Sequence, residues 1–220
     1  MCRFLLVKSI KPINPFKLLQ SFSSMAKKSK AYDGDWQGDG WGIAWITKNS
    51  WYSYKSLSPI WDEPRKFQDF PETSIFAVHA RSASFPRHKN NLVYNQPFIN
   101  PPWIFVFNGL LKGVSLPSLI PGEIGAQKIW YLLQKQLAKN QPGAALEKIK
   151  KLLVENTKEL QALNIGLADK NNLYALCFYN RFPSYYQLHY LINKDITAIC
   201  SEVLPFSFWK EMKSSQTLKL

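Results

Sequence analysis

MCRFLLVKSIKP (residues 1–12) is a short apolar run that closes on a proline-containing turn. A run of this kind suits a buried first strand over residues 2–8, and it places Cys2 at the strand's end. Such a strand needs partners, and the rest of the chain offers several.

Asn14 followed by Pro15 makes an N-cap and first helical residue, and the segment to about Lys30 carries Phe16, Leu18, Leu19 and Phe22 on one side, which predicts an amphipathic helix. GWGIAWITKNSWYSYKS (residues 40–56) sets two β-rich runs around Lys48-Asn49, the signal of a hairpin. Ser74–Arg81 and Trp103–Phe107 read as two further buried strands, separated by a polar segment with Pro86, Pro97, Pro101 and Pro102. Apolar residues recur at helical spacing from Glu123 to Ala138 and from Ala144 to Gln161, with Asn140, Pro142 and Gly143 between them. Strand-like runs follow at Ile165–Ala168, Leu173–Phe178, Tyr186–Ile192 and Thr197–Cys200. The order is strands, helices, strands, without βαβ alternation. That order fits an α+β layered sandwich better than a parallel doubly wound sheet.

With 220 residues, 46% of them hydrophobic, the chain is expected to form one domain over residues 1–220. Cys2, Cys177 and Cys200 lie far apart, without the spacing of a disulfide framework or a zinc site, so a reducing, cytoplasmic compartment is expected. Lys8 and Lys11 interrupt the first apolar run, which is too short for a signal peptide, and no stretch is long enough to span a membrane; a soluble protein is expected. Lysines and arginines number 28 against 15 acids, a formal charge of +13 that favours anionic partners. The lysines are scattered over the helical segments without a tight cluster, which argues against dedicated nucleic-acid recognition.

Four segments set polar residues or glycines at the ends of predicted strands: Cys2-Arg3, Gly38–Gly42, His79–Ser84 and Asn108-Gly109. A cysteine exposed as the first residue, once Met1 has left, brings its own base, because a free α-amine titrates near about 8 and takes the thiol proton. The plainer alternative is a small buried core residue. Arg81 is able to hold a carboxylate through two parallel hydrogen bonds; a surface ion pair is the alternative. Asn108 and Gly109 combine an amide side chain with an unobstructed backbone N–H, a pair suited to an oxyanion, although Asn-Gly is also a common turn. The glycines at 38, 40 and 42 do not follow a strand and open a helix, so no nucleotide loop is assigned. His79 reads as a core histidine, and His88 and His189 receive no role.

Taken together, MCRFLL at the start, GDGWGIAW at 38–45, AVHARSAS at 77–84 and FNGLL at 107–111 resemble the class II glutamine amidotransferases, closest to the small standalone members. A weaker match at Ser201-Glu202 extends the resemblance over nearly the whole chain. The resemblance implies the four-layer αββα sandwich of the N-terminal nucleophile hydrolases. It implies Cys2 as nucleophile and base, Asn108 and Gly109 as the oxyanion hole, and Arg81, helped near Ser84, as the grip on the substrate α-carboxylate. The implied reaction cleaves the side-chain amide of glutamine or a related γ-glutamyl compound through a thioester, with no cofactor and no metal. Any ammonia transfer then needs a separate accepting protein. Two positions depart from the family's pattern. Gln96 stands where the family commonly has His, and Gly125 stands where it has an Asp that binds the α-ammonium, with Glu123 or Asp39 as substitutes. The departure at Gly125, with the charge, keeps open a basic binding module that retains the fold without turnover.

Overall fold

The computed structural model describes residues 1–116 and 118–220. The first strand, β1 (Arg3–Ile13), is longer than its apolar run. It lies inside a seven-stranded sheet, flanked by β10 (Ile196–Cys200) and β4 (Thr73–Ala80). The full antiparallel order is β11 (Lys210–Glu211), β9 (His189–Ile192), β10, β1, β4, β2 (Trp41–Thr47) and β3 (Ser50–Ser56). A second, five-stranded sheet runs β12 (Gln216–Lys219), β8 (Leu173–Cys177), β7 (Thr157–Ala168), β6 (Trp103–Val114) and β5 (Phe98–Asn100).

Strand alternation sorts the side chains into layers. On β1, Phe4 and Leu6 face the second sheet, while Leu5 and Val7 face helix α1 (Phe16–Lys28). On β6, Ile104 and Val106 face the first sheet, while Phe105 and Phe107 face helices α2 (Gly125–Leu137) and α3 (Pro142–Glu155). The chain is therefore the expected αββα sandwich, held by three apolar layers. Full burial of one such Phe or Leu side chain contributes about 1.5–3 kcal/mol.

Local chemistry explains most element ends. Leu18, Leu19, Phe22, Met25 and Ala26 form the buried stripe of α1, and the Asn14 side chain accepts from the Phe16 N–H at 2.9 Å. Lys27 and Lys28 close the helix where its dipole favours cations. Lys48 and Asn49 both take left-handed φ (50° and 65°), the backbone of a two-residue hairpin turn.

Three expectations need correction. The second helix of the 123–155 hairpin stops at Glu155 rather than Gln161, and β7 begins at Thr157. The strand expected at 103–107 runs on to Val114. These are one event, because the tail of β6 and the head of β7 pair with each other, Asn108 opposite Asn164 and Val114 opposite Thr157. Neither stretch announces itself alone; each is made a strand by the other. The third correction is at Tyr186, which ends a short helix α4 (Pro183–Tyr186), so that the next strand starts at His189. Among the described residues no helix is long and apolar enough to cross a membrane.

Candidate active site

The alternation that builds the core also builds the site. Cys2 shares the parity of Phe4 and Leu6, Arg81 that of Ile75, Ala77 and His79, and Asn108 that of Ile104 and Val106. That parity points all three towards the space between the sheets, at the end where β1 begins and β4 finishes, although the fully buried Asn108 does not itself line the cavity there. A cavity of about 810 Å³ opens there, lined by Cys2, Arg81, Ser82, Ser84, Gln96, Phe107 and Gly109 among others.

Cys2 is half-buried, and its Sγ lies 3.5 Å from the Ser82 N–H and 3.6 Å from the Ser82 carbonyl. It lines a cavity rather than filling the core. Its neighbour Arg3 is structural. The buried guanidinium donates to Ser29 Oγ at 2.8 Å and the Tyr185 carbonyl at 2.6 Å, pairs with Glu202 at 3.1 Å and stacks on the Tyr185 ring. Ser201 Oγ accepts from the Phe4 N–H at 3.0 Å. The tail match at Ser201-Glu202 thus marks residues that anchor the head of β1.

Met1 is buried in front of Cys2. Its carbonyl accepts from Gln37 Nε2 at 2.7 Å and from the Tyr185 hydroxyl at 3.0 Å, and its ammonium pairs with Asp35. Burial pulls that ammonium from about 8 down to about 6, only partly opposed by the negative charges of Cys2, Asp33 and Asp39. Asp35 also accepts from Ser82 Oγ. Asp35, Gln37 and Tyr185 were not singled out from the sequence, and Ser82 figured there only within the 79–84 segment, without a role. Their signal is weak: Asp35 and Gln37 lie in the polar, glycine-rich stretch before β2, and Tyr185 is one aromatic among many.

Arg81 is only 3% exposed, yet among the described residues it pairs with no carboxylate. Its guanidinium is held by neutral oxygens, Asn95 Oδ1 at 3.3 Å, the Asp39 carbonyl at 3.4 Å and the His88 carbonyl, and it lies over the Tyr94 ring. The surface-ion-pair alternative is excluded. Ser84 lines the same cavity but is exposed, and Ser82 stands nearer the thiol. Asp39 accepts from the Ala83 N–H at 2.8 Å and pairs with Lys89 at 3.0 Å, so its carboxylate is engaged in holding the 81–84 turn. Glu123 lines the cavity and accepts from the Tyr94 hydroxyl.

Asn108 and Gly109 do not end a strand or make a turn; they lie within β6, opposite Asn164 and Leu163. Gly109 is required there, because a Cβ would come within 2.2 Å of the Ala162 carbonyl oxygen. Asn108 is fully buried, and among the described residues neither its Oδ1 nor its Nδ2 has a partner. An orphaned buried amide costs about 1–3 kcal/mol unless something completes it. The residue before it is clamped on both backbone groups. Gln96 Oε1 accepts from the Phe107 N–H at 2.6 Å, and His79 Nε2 reaches across from β4 to the Phe107 carbonyl at 3.2 Å. Gln96 thereby has a structural task at the position where the sequence departs from the family's pattern. His79, read as a core histidine, ties the two sheets together beside Asn108.

Because a carbonyl is its partner, His79 Nε2 carries the proton, and the buried Nδ1 has no partner among the described residues. Burial, only partly opposed by that bond, lowers the ring from 6.5 to about 3. The unfolded chain therefore takes up a proton below about 6.5 that the folded chain refuses. Stability is full above that pH and is lost as pH falls towards about 3. A falling unfolding midpoint between pH 7.5 and 5 is expected, with a flatter acid limb in His79→Gln, which keeps an N–H donor but cannot titrate. Identical limbs in both proteins would contradict this.

No protein-family model matches the chain, and no curated protein matches it in sequence. Solved structures do. A glutamine aminotransferase class-II domain protein from Silicibacter pomeroyi superposes with a TM-score of 0.66 at 17% identity, covering 99% of this chain and 94% of that one. A predicted glutamine amidotransferase from Pseudomonas aeruginosa gives 0.55 at 15% identity, with 99% and 96% covered. Glutamine phosphoribosylpyrophosphate amidotransferase from B. subtilis gives 0.62 at 12% identity over 91% of this chain, which spans 42% of that enzyme. The chain has the fold of the class II glutamine amidotransferases.

Proposed function

We propose that the protein is an amidohydrolase that cleaves the side-chain amide of glutamine or a related γ-glutamyl compound, with Cys2 as nucleophile once Met1 has left. The observation that carries this reading is a buried guanidinium, Arg81, without a carboxylate partner, on the same cavity as a cysteine at the head of the first strand. A ligand carboxylate completes that guanidinium with two parallel, charge-assisted bonds.

The chemistry follows from the groups in place. Removal of Met1 gives Cys2 a free amine beside Asp35 and Ser82, and the amine takes the thiol proton. The thiolate attacks the amide carbonyl carbon, and the oxyanion accepts from Asn108 Nδ2 and the Gly109 N–H. The C–N bond breaks, the leaving nitrogen takes the proton back from the α-ammonium, and a γ-glutamyl thioester remains. Water then attacks the thioester, giving its proton to the amine. The C–S bond breaks, and the proton returns to the thiolate. One water is consumed and one ammonia released. A protein that accepts the ammonia is not needed for this cycle.

Ammonia release from a panel of γ-glutamyl amides tests the reading, and Arg81→Lys sharpens it. Lysine cannot form the two-bond grip, so KM for a substrate with a free α-carboxylate is expected to rise roughly 10–100-fold while kcat changes little. An unchanged KM in a folded variant would remove Arg81 from the substrate site.

A further inference from the structure

We infer that Gln96 and His79 are positioning residues for the proposed oxyanion hole, standing in for a missing strand beside Phe107 and so aiming the Gly109 N–H; this rests on the reading of Cys2, Asn108 and Gly109 just given. Strand β6 reaches the site with a neighbour on one side only. Its partner β5 pairs with Trp103, Ile104 and Phe105 and then ends, whereas β7 follows β6 from Ile104 to Val114. Alternate residues of a strand present their N–H and C=O groups to the same edge. Phe105, Phe107 and Gly109 therefore share an edge that β5 covers only as far as Phe105. Backbone at such an edge has no ladder to fix it, and the register of β6 shifts just beyond Gly109, between Leu110 and Leu111.

At Phe107 two side chains take the place of that strand. Gln96 Oε1 accepts from the Phe107 N–H at 2.6 Å, and His79 Nε2 donates to the Phe107 carbonyl at 3.2 Å. Both side chains are buried, and they arrive from different parts of the fold, Gln96 from the segment before β5 and His79 from β4 in the other sheet. The Phe107 carbonyl belongs to the same peptide as the Asn108 nitrogen, so the clamp fixes the start of Asn108-Gly109. With the Phe107 N–H occupied, Gly109 carries the next N–H on that edge. Gln96, Phe107 and Gly109 line the cavity, whereas the buried His79 does not, so His79 acts through Phe107 rather than on a substrate. Position 96 then has one requirement, an acceptor that reaches the Phe107 N–H. An imidazole nitrogen meets it as a carboxamide oxygen does.

The test measures kcat and KM for a γ-glutamyl amide on the chain lacking Met1. Gln96→Met and His79→Leu keep a similar volume and lose the polar contact; each is expected to lower kcat roughly 10–100-fold, short of the loss of a whole oxyanion donor, with KM little changed. Gln96→His and His79→Gln, which retain an acceptor and a donor, are each expected to stand at least about 5-fold above the apolar variant at the same position. Wild-type kcat in Gln96→Met and His79→Leu overturns the inference, and so does a rise in KM in place of the loss in kcat. Hydrogen exchange in the wild type supplies a readout that needs no variant to fold. The Phe107 amide is expected to exchange at least about 100-fold more slowly than the Gly109 amide on the open edge. Equal exchange at the two positions overturns the inference as well. If the wild type releases ammonia while the apolar variants keep their kcat, only this inference fails. If the wild type hydrolyses no γ-glutamyl amide and Cys2 stays unmodified by a glutamine-mimicking electrophile, the catalytic reading fails with it.

Discussion

Cys2→Ala is expected to reduce amide hydrolysis about 10⁴–10⁶-fold, to near the uncatalysed background, since loss of a covalent nucleophile removes the whole two-step route. The same substitution is expected to cost about 1 kcal/mol of stability or less. Cys2 is half-buried, and among the described residues its thiol makes only long contacts of 3.5 and 3.6 Å, to Ser82. The other two thiols cannot replace it. Cys177 and Cys200 are buried, and burial pushes them up to about 11 and about 12, so both stay protonated at neutral pH. Steady-state ammonia release and a thermal melt on the same preparation check both halves of the expectation. Retained turnover would assign the nucleophile elsewhere.

Asn108→Ala is expected to lower kcat about 10²–10³-fold with little change in KM, the signature of a donor used only when negative charge develops on the carbonyl oxygen. Stability gives the discriminating readout. An Asn that serves the core through its hydrogen bonds destabilises the fold when truncated. The Asn108 side chain makes none among the described residues, so the variant loses packing while shedding the cost of an orphaned buried amide. An unfolding midpoint close to wild type, together with the loss in kcat, is the expected pair of results. A large drop in midpoint with kcat intact would make Asn108 a packing residue.

Much of this site could be read from local pattern. The apolar head of the chain, the Lys48-Asn49 turn and the stripe of α1 are short-range signals, and the structure carries each of them. Period-two alternation from Phe4 and from Ile104 is enough to turn Cys2 and Asn108 towards the same interlayer space. The misreadings share a cause. The extension of β6 past Phe107 and the early start of β7 depend on their pairing, which no window of sequence contains. Read alone, residues 156–161 continue a helical spacing, and Asn108-Gly109 look like a turn. The contacts made by Gln96, His79, Asp35 and Gln37 were hidden for the same reason, since each acts on a residue distant in the chain. Gln96 shows the limit of pattern matching most clearly: a departure from the family's motif is a buried side chain that holds the Phe107 N–H beside the proposed oxyanion hole.

Intact-mass measurement after exposure to a glutamine-mimicking electrophile tests the central claim most directly. One adduct is expected, on a chain that lacks Met1, mapped to Cys2 and absent from Cys2→Ala. A chain that keeps Met1 and is modified only at Cys177 or Cys200, or not at all, would contradict it.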